Sequence, residues 1–243
     1  MADDTVRIAM WSGPRNLSTA MMRSFGARAD TAVWDEPFYA AYLFATGLDH
    51  PMRSDIIANY DTDPEVIAAR CLGPVPGGKP VFYQKHMTHH MVDGFDLGWT
   101  AGVTNVFLIR EPHLVAASYE AKREEATLDD LGVRRQRELF EREADRLGHA
   151  PPVVDATRIA NAPEATLTAL CGAIGIPFDS SMLAWPAGSR PEDGVWAAHW
   201  YASVENSTGF APARVAEPLL TDHARALAER AAPYYDALAA HAL

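Results

Sequence analysis

Two short segments carry residue types suited to holding and moving an anionic group. Residues 11–19 read Trp11-Ser12-Gly13-Pro14-Arg15-Asn16-Leu17-Ser18-Thr19, between an apolar run at Val6–Met10 and a helical pattern that begins at Ser18. A loop joining a strand to a helix turns backbone N–H groups and the positive helix end toward one point, which suits a phosphate or sulfate. Arg15 adds a permanent cation with several donors, and Ser18 and Thr19 add hydroxyls. The same residues also suit a plain turn with a Ser/Thr helix cap. The second segment, Leu108–Tyr119, places Arg110 at the end of an apolar strand and Ser118 about two helical turns later. An Arg with a Ser hydroxyl makes a sound phosphate site. Taken singly, each also reads as a surface Arg and a Ser bonding its own helix.

Moving the group needs a base for the acceptor proton and cations for the departing oxygen. Lysine is scarce: Lys79, Lys85 and Lys122 are the only ones. Lys85-His86 follows the expected third strand, Val81–Gln84, and within Lys85–His90 the residues His86 and His89 compete as the base. Solvated loop histidines are the alternative. Glu36, in Asp35-Glu36-Pro37-Phe38 after the second expected strand, is the rival base, or else a capping or salt-bridged carboxylate. His86, His89 and His90 lack an acidic or cysteine partner at metal-ligand spacing, so no metal is expected. Trp11, Trp196, Trp200 and Tyr201 are candidates to stack a nucleobase or line an acceptor pocket, or else to fill core.

These residues must be positioned by a parallel α/β sheet. Short apolar runs alternate with longer helical stretches. Strands are expected at Val6–Met10, Thr31–Trp34, Val81–Gln84, Val103–Ile109 and Pro152–Asp155, with Val103–Ile109 as the central one. Helices are expected at residues 18–29, 64–72, from Pro112, over 128–147 as an exposed amphipathic helix, at 163–174 and over 219–241. The 243 residues form one expected domain, with 179–218, rich in Trp, Pro and Gly, as a lid or substrate wall.

Composition narrows the partners. Lys and Arg number 21 against 32 Asp and Glu, a net charge of −11, which argues against a nucleic-acid or membrane-surface partner. A small polyanion remains compatible if a few cations share one cleft. Cys71 and Cys171 lie far apart, as small core residues of a reduced compartment would. With an acidic Met1-Ala2-Asp3-Asp4 start and no long apolar run, a cytoplasmic protein is expected.

No Gly-Lys-Ser or Gly-Lys-Thr occurs, which disfavours a nucleoside-triphosphate kinase. No lysine has a motif that supports a pyridoxal-phosphate aminotransferase. The two anion segments do resemble the 5′-phosphosulfate loop and the 3′-phosphate motif of sulfotransferases, which use 3′-phosphoadenosine 5′-phosphosulfate (PAPS). The first, Gly13-Pro14-Arg15-Asn16-Leu17-Ser18-Thr19, is similar to the bacterial Pro-Arg-Ser-Gly-Ser-Thr loop, and Arg110 and Ser118 match the Arg-x(7)-Ser spacing. Val153-Val154-Asp155, Pro163–Leu167 and Gly175-Ile176-Pro177-Phe178 resemble the strand–helix unit that follows. The resemblance implies a three-layer α/β/α fold of P-loop type and sulfuryl transfer from PAPS to a hydroxyl or amine of a small molecule, without a metal. It implies that Arg15 and the Ser18/Thr19 loop hold the 5′-phosphosulfate and Arg110 with Ser118 the 3′-phosphate. Lys85 or Arg15 then stabilises the leaving group, with His86 or Glu36 as base. Two departures stand out: Leu17 replaces the loop glycine and Asn16 the usual serine. They motivate the alternative of a nucleotide-binding module that no longer turns over.

Overall fold

The computed structural model describes residues 5–120, 126–212 and 218–243. The acidic start, Lys122 and part of the 179–218 stretch therefore lie outside the described residues. Five parallel strands form one sheet in the order β2-β3-β1-β4-β5. They are β1 (Val6–Ser12), β2 (Thr31–Asp35), β3 (Val81–Met87), β4 (Thr104–Ile109) and β5 (Val153–Asp155). The strands are largely buried and mostly apolar, and their side chains split between two cores by simple alternation. Ile8 and Met10 of β1, with Val106 and Leu108 of β4, pack against Met21, Met22 and Phe25 of α1 (Ser18–Gly26). Ala9, Trp11, Phe107 and Ile109 face the other way, toward Ile67, Leu139, Phe140 and Leu238.

The helices in chain order are α1, α2 (Tyr39–Thr46), α3 (Arg53–Asn59), α4 (Pro64–Leu72), α5 (Pro112–Glu120), α6 (Val133–Leu147), α7 (Ala156–Asn161) and α8 (Pro163–Ala173). Two short ones, α9 (Ala197–Trp200) and α10 (Ala202–Glu205), precede α11 (Asp222–Ala239). The arrangement is three-layered, with α1 and α8 on one face of the sheet and α4, α6 and α11 on the other. Local chemistry sets several starts: Asp63 accepts from the Glu65 N–H with Pro64 in the first turn of α4, and Asp155 caps α7 through the Thr157 and Arg158 N–H groups. Among the described residues no helix is long and apolar enough to cross a membrane.

Two expectations need correction. The central strand is β1, with β4 beside it, so Arg110 ends an interior strand next to the centre. The third strand does not stop at Gln84 but continues to Met87, which places Lys85 and His86 inside the sheet. The chain leaves β1 toward β2 on one side and β4 toward β5 on the other. The strand order thus reverses between β1 and β4, where open α/β sheets commonly place a ligand crevice, and the cleft itself lies over the carboxyl ends of β1, β3 and β2.

Candidate active site

The loop after β1 is held open from below by close packing. A Cβ on Gly13 would lie 2.2 Å from the Leu131 carbonyl oxygen, so only glycine fits there. Thr88 donates from its hydroxyl to the Gly132 carbonyl at 2.9 Å, tying that same crossing segment to the end of β3. Gln136 of α6 donates to the Leu108 carbonyl at 2.8 Å, and Asn16 reaches the same oxygen at 3.4 Å. Arg15 and Leu17 both take left-handed backbone, with φ of 64° and 62°. Leu17 thus adopts a conformation that glycine takes without strain, at a cost of order 1–3 kcal/mol. It is also the N-cap of α1, whose first turn carries neither a side-chain cap nor an acidic residue. The N–H groups that open a helix have no intrahelical acceptor, and the positive end they form suits an anion.

Arg110 and Ser118 converge on this loop through Arg15. The Arg110 guanidinium donates to the Arg15 carbonyl at 2.8 Å, and Arg15 Nε donates to Ser118 Oγ at 3.0 Å. The two anion segments read from the sequence are therefore one connected structure.

A cleft with a cavity volume of about 120 Å³ opens over the loop, lined by Pro14, Arg15, Ser18 and Thr19 on one side. Glu36, Tyr39, Lys85 and Tyr201 line the other, with His50, His89, His90, Tyr119 and Trp200 around them. Lys85 is 1% exposed, and its three N–H donors are all engaged: Asp35 Oδ1 at 3.0 Å, Glu36 Oε1 at 2.7 Å and the Tyr201 hydroxyl at 2.5 Å. Burial works to lower the Lys85 pKa, but the charges of Asp35 and Glu36 outweigh it and the ammonium is held above its ordinary value. For Glu36, burial pushes the carboxyl above the usual carboxylate range, and Lys85 restrains the rise. Glu36 sits at φ 40°, pinned by its N–H to the Lys85 carbonyl at 3.0 Å, and this strained backbone precedes Pro37.

His86 does not reach the cleft. Successive strand residues point to opposite faces, so with Lys85 in the cleft His86 must face the other core. There it packs against Trp11 and Trp99 at ring separations of 4.6 and 5.2 Å, and its Nε2 pairs with Gln84 Oε1 at 3.2 Å. Burial lowers its pKa to about 3. Trp11 is likewise fully buried, its indole N–H bonded to Asn105, and does not offer a stacking face. His89 and His90 do line the cleft. His90 lies flat between Tyr39 and Tyr42, with its Nε2 3.9 Å from Glu36 Oε2.

The 179–218 stretch supplies a wall, packed rather than loose over its described part. Arg23 of α1 grips Asp193 with two bonds of 2.5 and 2.7 Å, and Ser24 donates to the Met182 carbonyl. Trp196 is buried, whereas Trp200 and Tyr201 face the cleft. Sequence reading missed Asp35, Tyr39, His50 and Tyr119. The apolar stretch Phe38–Leu43 was the available signal for α2 and hence for Tyr39.

Comparison with known proteins agrees with this architecture. Residues 6–242 match the profile of the sulfotransferase domain family. Over 99% of its length the chain is 37% identical to branched-chain-amino-acid aminotransferase-like protein 1 of Arabidopsis thaliana, and over 96% it is 35% identical to protein 2. It spans only 43% and 41% of those two relatives. Among solved structures, a sulfotransferase from Alicyclobacillus acidocaldarius superposes with a TM-score of 0.54 at 12% identity, covering 97% of this chain and 94% of that one. The sulfotransferase domain from the curacin biosynthetic pathway gives 0.52 at 14%, covering 94% and 98%. At such identities the likeness is one of fold, while the family match spans nearly every residue. The chain belongs to the sulfotransferase domain family.

Proposed function

We propose that the chain transfers a sulfuryl group from PAPS to a hydroxyl or amine of a small-molecule acceptor. What supports this is one juxtaposition: an uncapped helix N-terminus with Arg15 faces a buried Lys85–Glu36 pair across the same cleft. The residues present fit an anionic donor, since no acidic side chain enters the first turn of α1. Gly13, Pro14, Arg15, Asn16, Leu17, Ser18 and Thr19 would cradle the 5′-phosphosulfate, and Arg110 with Ser118 the 3′-phosphate. When bound, the donor supplies a sulfur–oxygen bond whose cleavage leaves a phosphate oxygen.

Glu36 then takes the acceptor proton. All three Lys85 hydrogens are committed, so Lys85 can serve the departing oxygen only when one is released. Protonation of Glu36 neutralises that partner and frees the hydrogen. Base and cation are thereby coupled in one step. Side-chain cations here carry the charge that Mg²⁺ carries in kinases. A binding module without turnover is less well supported, because Leu17 adopts the left-handed backbone that its identity made doubtful. An aminotransferase role suits the cleft lysine poorly: imine formation needs a neutral amine, and Asp35 and Glu36 keep Lys85 charged. Buried, unlinked Cys71 and Cys171 support a reducing compartment such as the cytoplasm.

Calorimetry tests the donor site. 3′,5′-Bisphosphoadenosine should bind about tenfold to a hundredfold more tightly than adenosine 5′-phosphate, as a charge-assisted contact of about 1.5–3 kcal/mol requires. Equal affinities would remove Arg110 and Ser118 from the phosphate site.

A further inference from the structure

Two carboxylates share the one buried ammonium, yet their surroundings differ. Asp35 accepts from the Tyr201 hydroxyl at 2.7–2.8 Å, from the Gly194 N–H at 3.2 Å and from Lys85. Glu36 has Lys85 at 2.7 Å, Tyr201 only at 3.4 Å, and His90 Nε2 at 3.9 Å. The Tyr201 hydroxyl itself is saturated. It accepts from Lys85 at 2.5 Å and from the Trp196 indole at 3.2 Å, which leaves its proton for Asp35.

We propose that Tyr201 is a positioning residue, whose hydroxyl locks Lys85 to Asp35 as a permanent pair and leaves Glu36 as the exchangeable partner that works as the base. The assignment rests on the sulfotransferase reading of Glu36. Pairs of carboxylates given distinct roles by their surroundings are a general device of acid–base sites. Tyr201 is fixed from a distance by α1, through the buried Arg23–Asp193 pair that anchors the turn carrying Gly194 and Trp196. The helix whose N-terminus faces the donor therefore also sets the wall that orients the base.

The groups facing Glu36 are Lys85 from β3, Asp35 from β2, His90 from the turn after β3, Tyr39 from α2 and Tyr201 from the wall. With its one proton on Asp35, Tyr201 offsets part of that carboxylate's charge; without it Asp35 draws Lys85 away from Glu36 and repels Glu36 more strongly, so the Glu36 pKa moves up. Titration of the Glu36 side-chain carboxyl by NMR, in the unliganded whole chain, reads this without any turnover. Tyr201→Phe should shift the titration upward. Tyr60→Phe, which deletes a hydroxyl that accepts from the Val195 N–H in the same wall, should leave it in place. With an acceptor in hand, Tyr201→Phe should lower kcat about tenfold to a hundredfold with little change in KM.

If Tyr201→Phe shows no cooperative melt, Asp193→Asn decides: it unties the wall from α1 and should shift Glu36 in the same direction. An unchanged Glu36 titration in the folded variant, or an equal shift in Tyr60→Phe, would overturn the assignment. An upward shift in Tyr201→Phe alone supports it even where no sulfuryl transfer is found, an outcome that would count against the sulfotransferase reading instead.

Discussion

Glu36→Gln should lower turnover on the order of a hundred- to ten-thousand-fold while leaving affinity for 3′,5′-bisphosphoadenosine nearly unchanged. That range is what a positioned general base contributes. The amide keeps the size of the side chain, and Lys85 keeps Asp35 as its counter-charge. The rate of the parent protein should rise with pH through a value above the ordinary carboxylate range, because burial raises Glu36 and only its deprotonated form accepts a proton. His86→Gln should retain turnover, since His86 lies in the opposite core beside Trp11 and Trp99. Rate–pH profiles of the two variants check this. An active Glu36→Gln with an inactive, folded His86→Gln would reverse the assignment.

The second large effect is on stability. Lys85→Met should cost about 3–5 kcal/mol, because it leaves Asp35 and Glu36 as like charges in a buried site with no counter-ion. For a chain of this length that is a fall in Tm of roughly 6–20 °C. The sign of its pH dependence follows from the same charges. Without the ammonium, the Glu36 carboxyl, already raised by burial and restrained by Lys85, climbs further above its unfolded value, so the native state binds more protons. The deficit should shrink at acid pH and grow as pH rises. Thermal melts across pH measure it, and a variant as stable as the parent at neutral pH would mean that the cluster carries no net charge burden.

Much of the fold was legible because its local signals agree. The run Val103–Ile109, the Asp63-Pro64 helix start and the Gly13–Thr19 junction each say the same thing at the level of propensity, pattern and capping. The site was only half legible, for a reason visible in β3. Gln84, Lys85 and His86 look like the end of a strand, since polar side chains seldom sit in sheet interiors. Here each is buried and satisfied by a distant partner: Gln84 by the Cys71 carbonyl, Lys85 by Asp35 and Tyr201, His86 by aromatic rings. Ending the strand early hid the alternation that separates Lys85 from His86. The Tyr201 contact could not be read at all, because it joins residues 116 positions apart through a stretch without helical or strand period.

The central claim is sulfuryl transfer, and the direct measurement is movement of radiolabelled sulfur. The purified protein would be incubated with PAPS labelled in its sulfuryl group and a panel of small hydroxyl and amine compounds, with Glu36→Gln as the blank. Label should leave PAPS for an organic acceptor, with 3′,5′-bisphosphoadenosine formed in equal amount, and the blank should show almost none. Label that stays in PAPS across the panel although the protein binds 3′,5′-bisphosphoadenosine tightly, or label that moves equally fast with Glu36→Gln, would contradict the account.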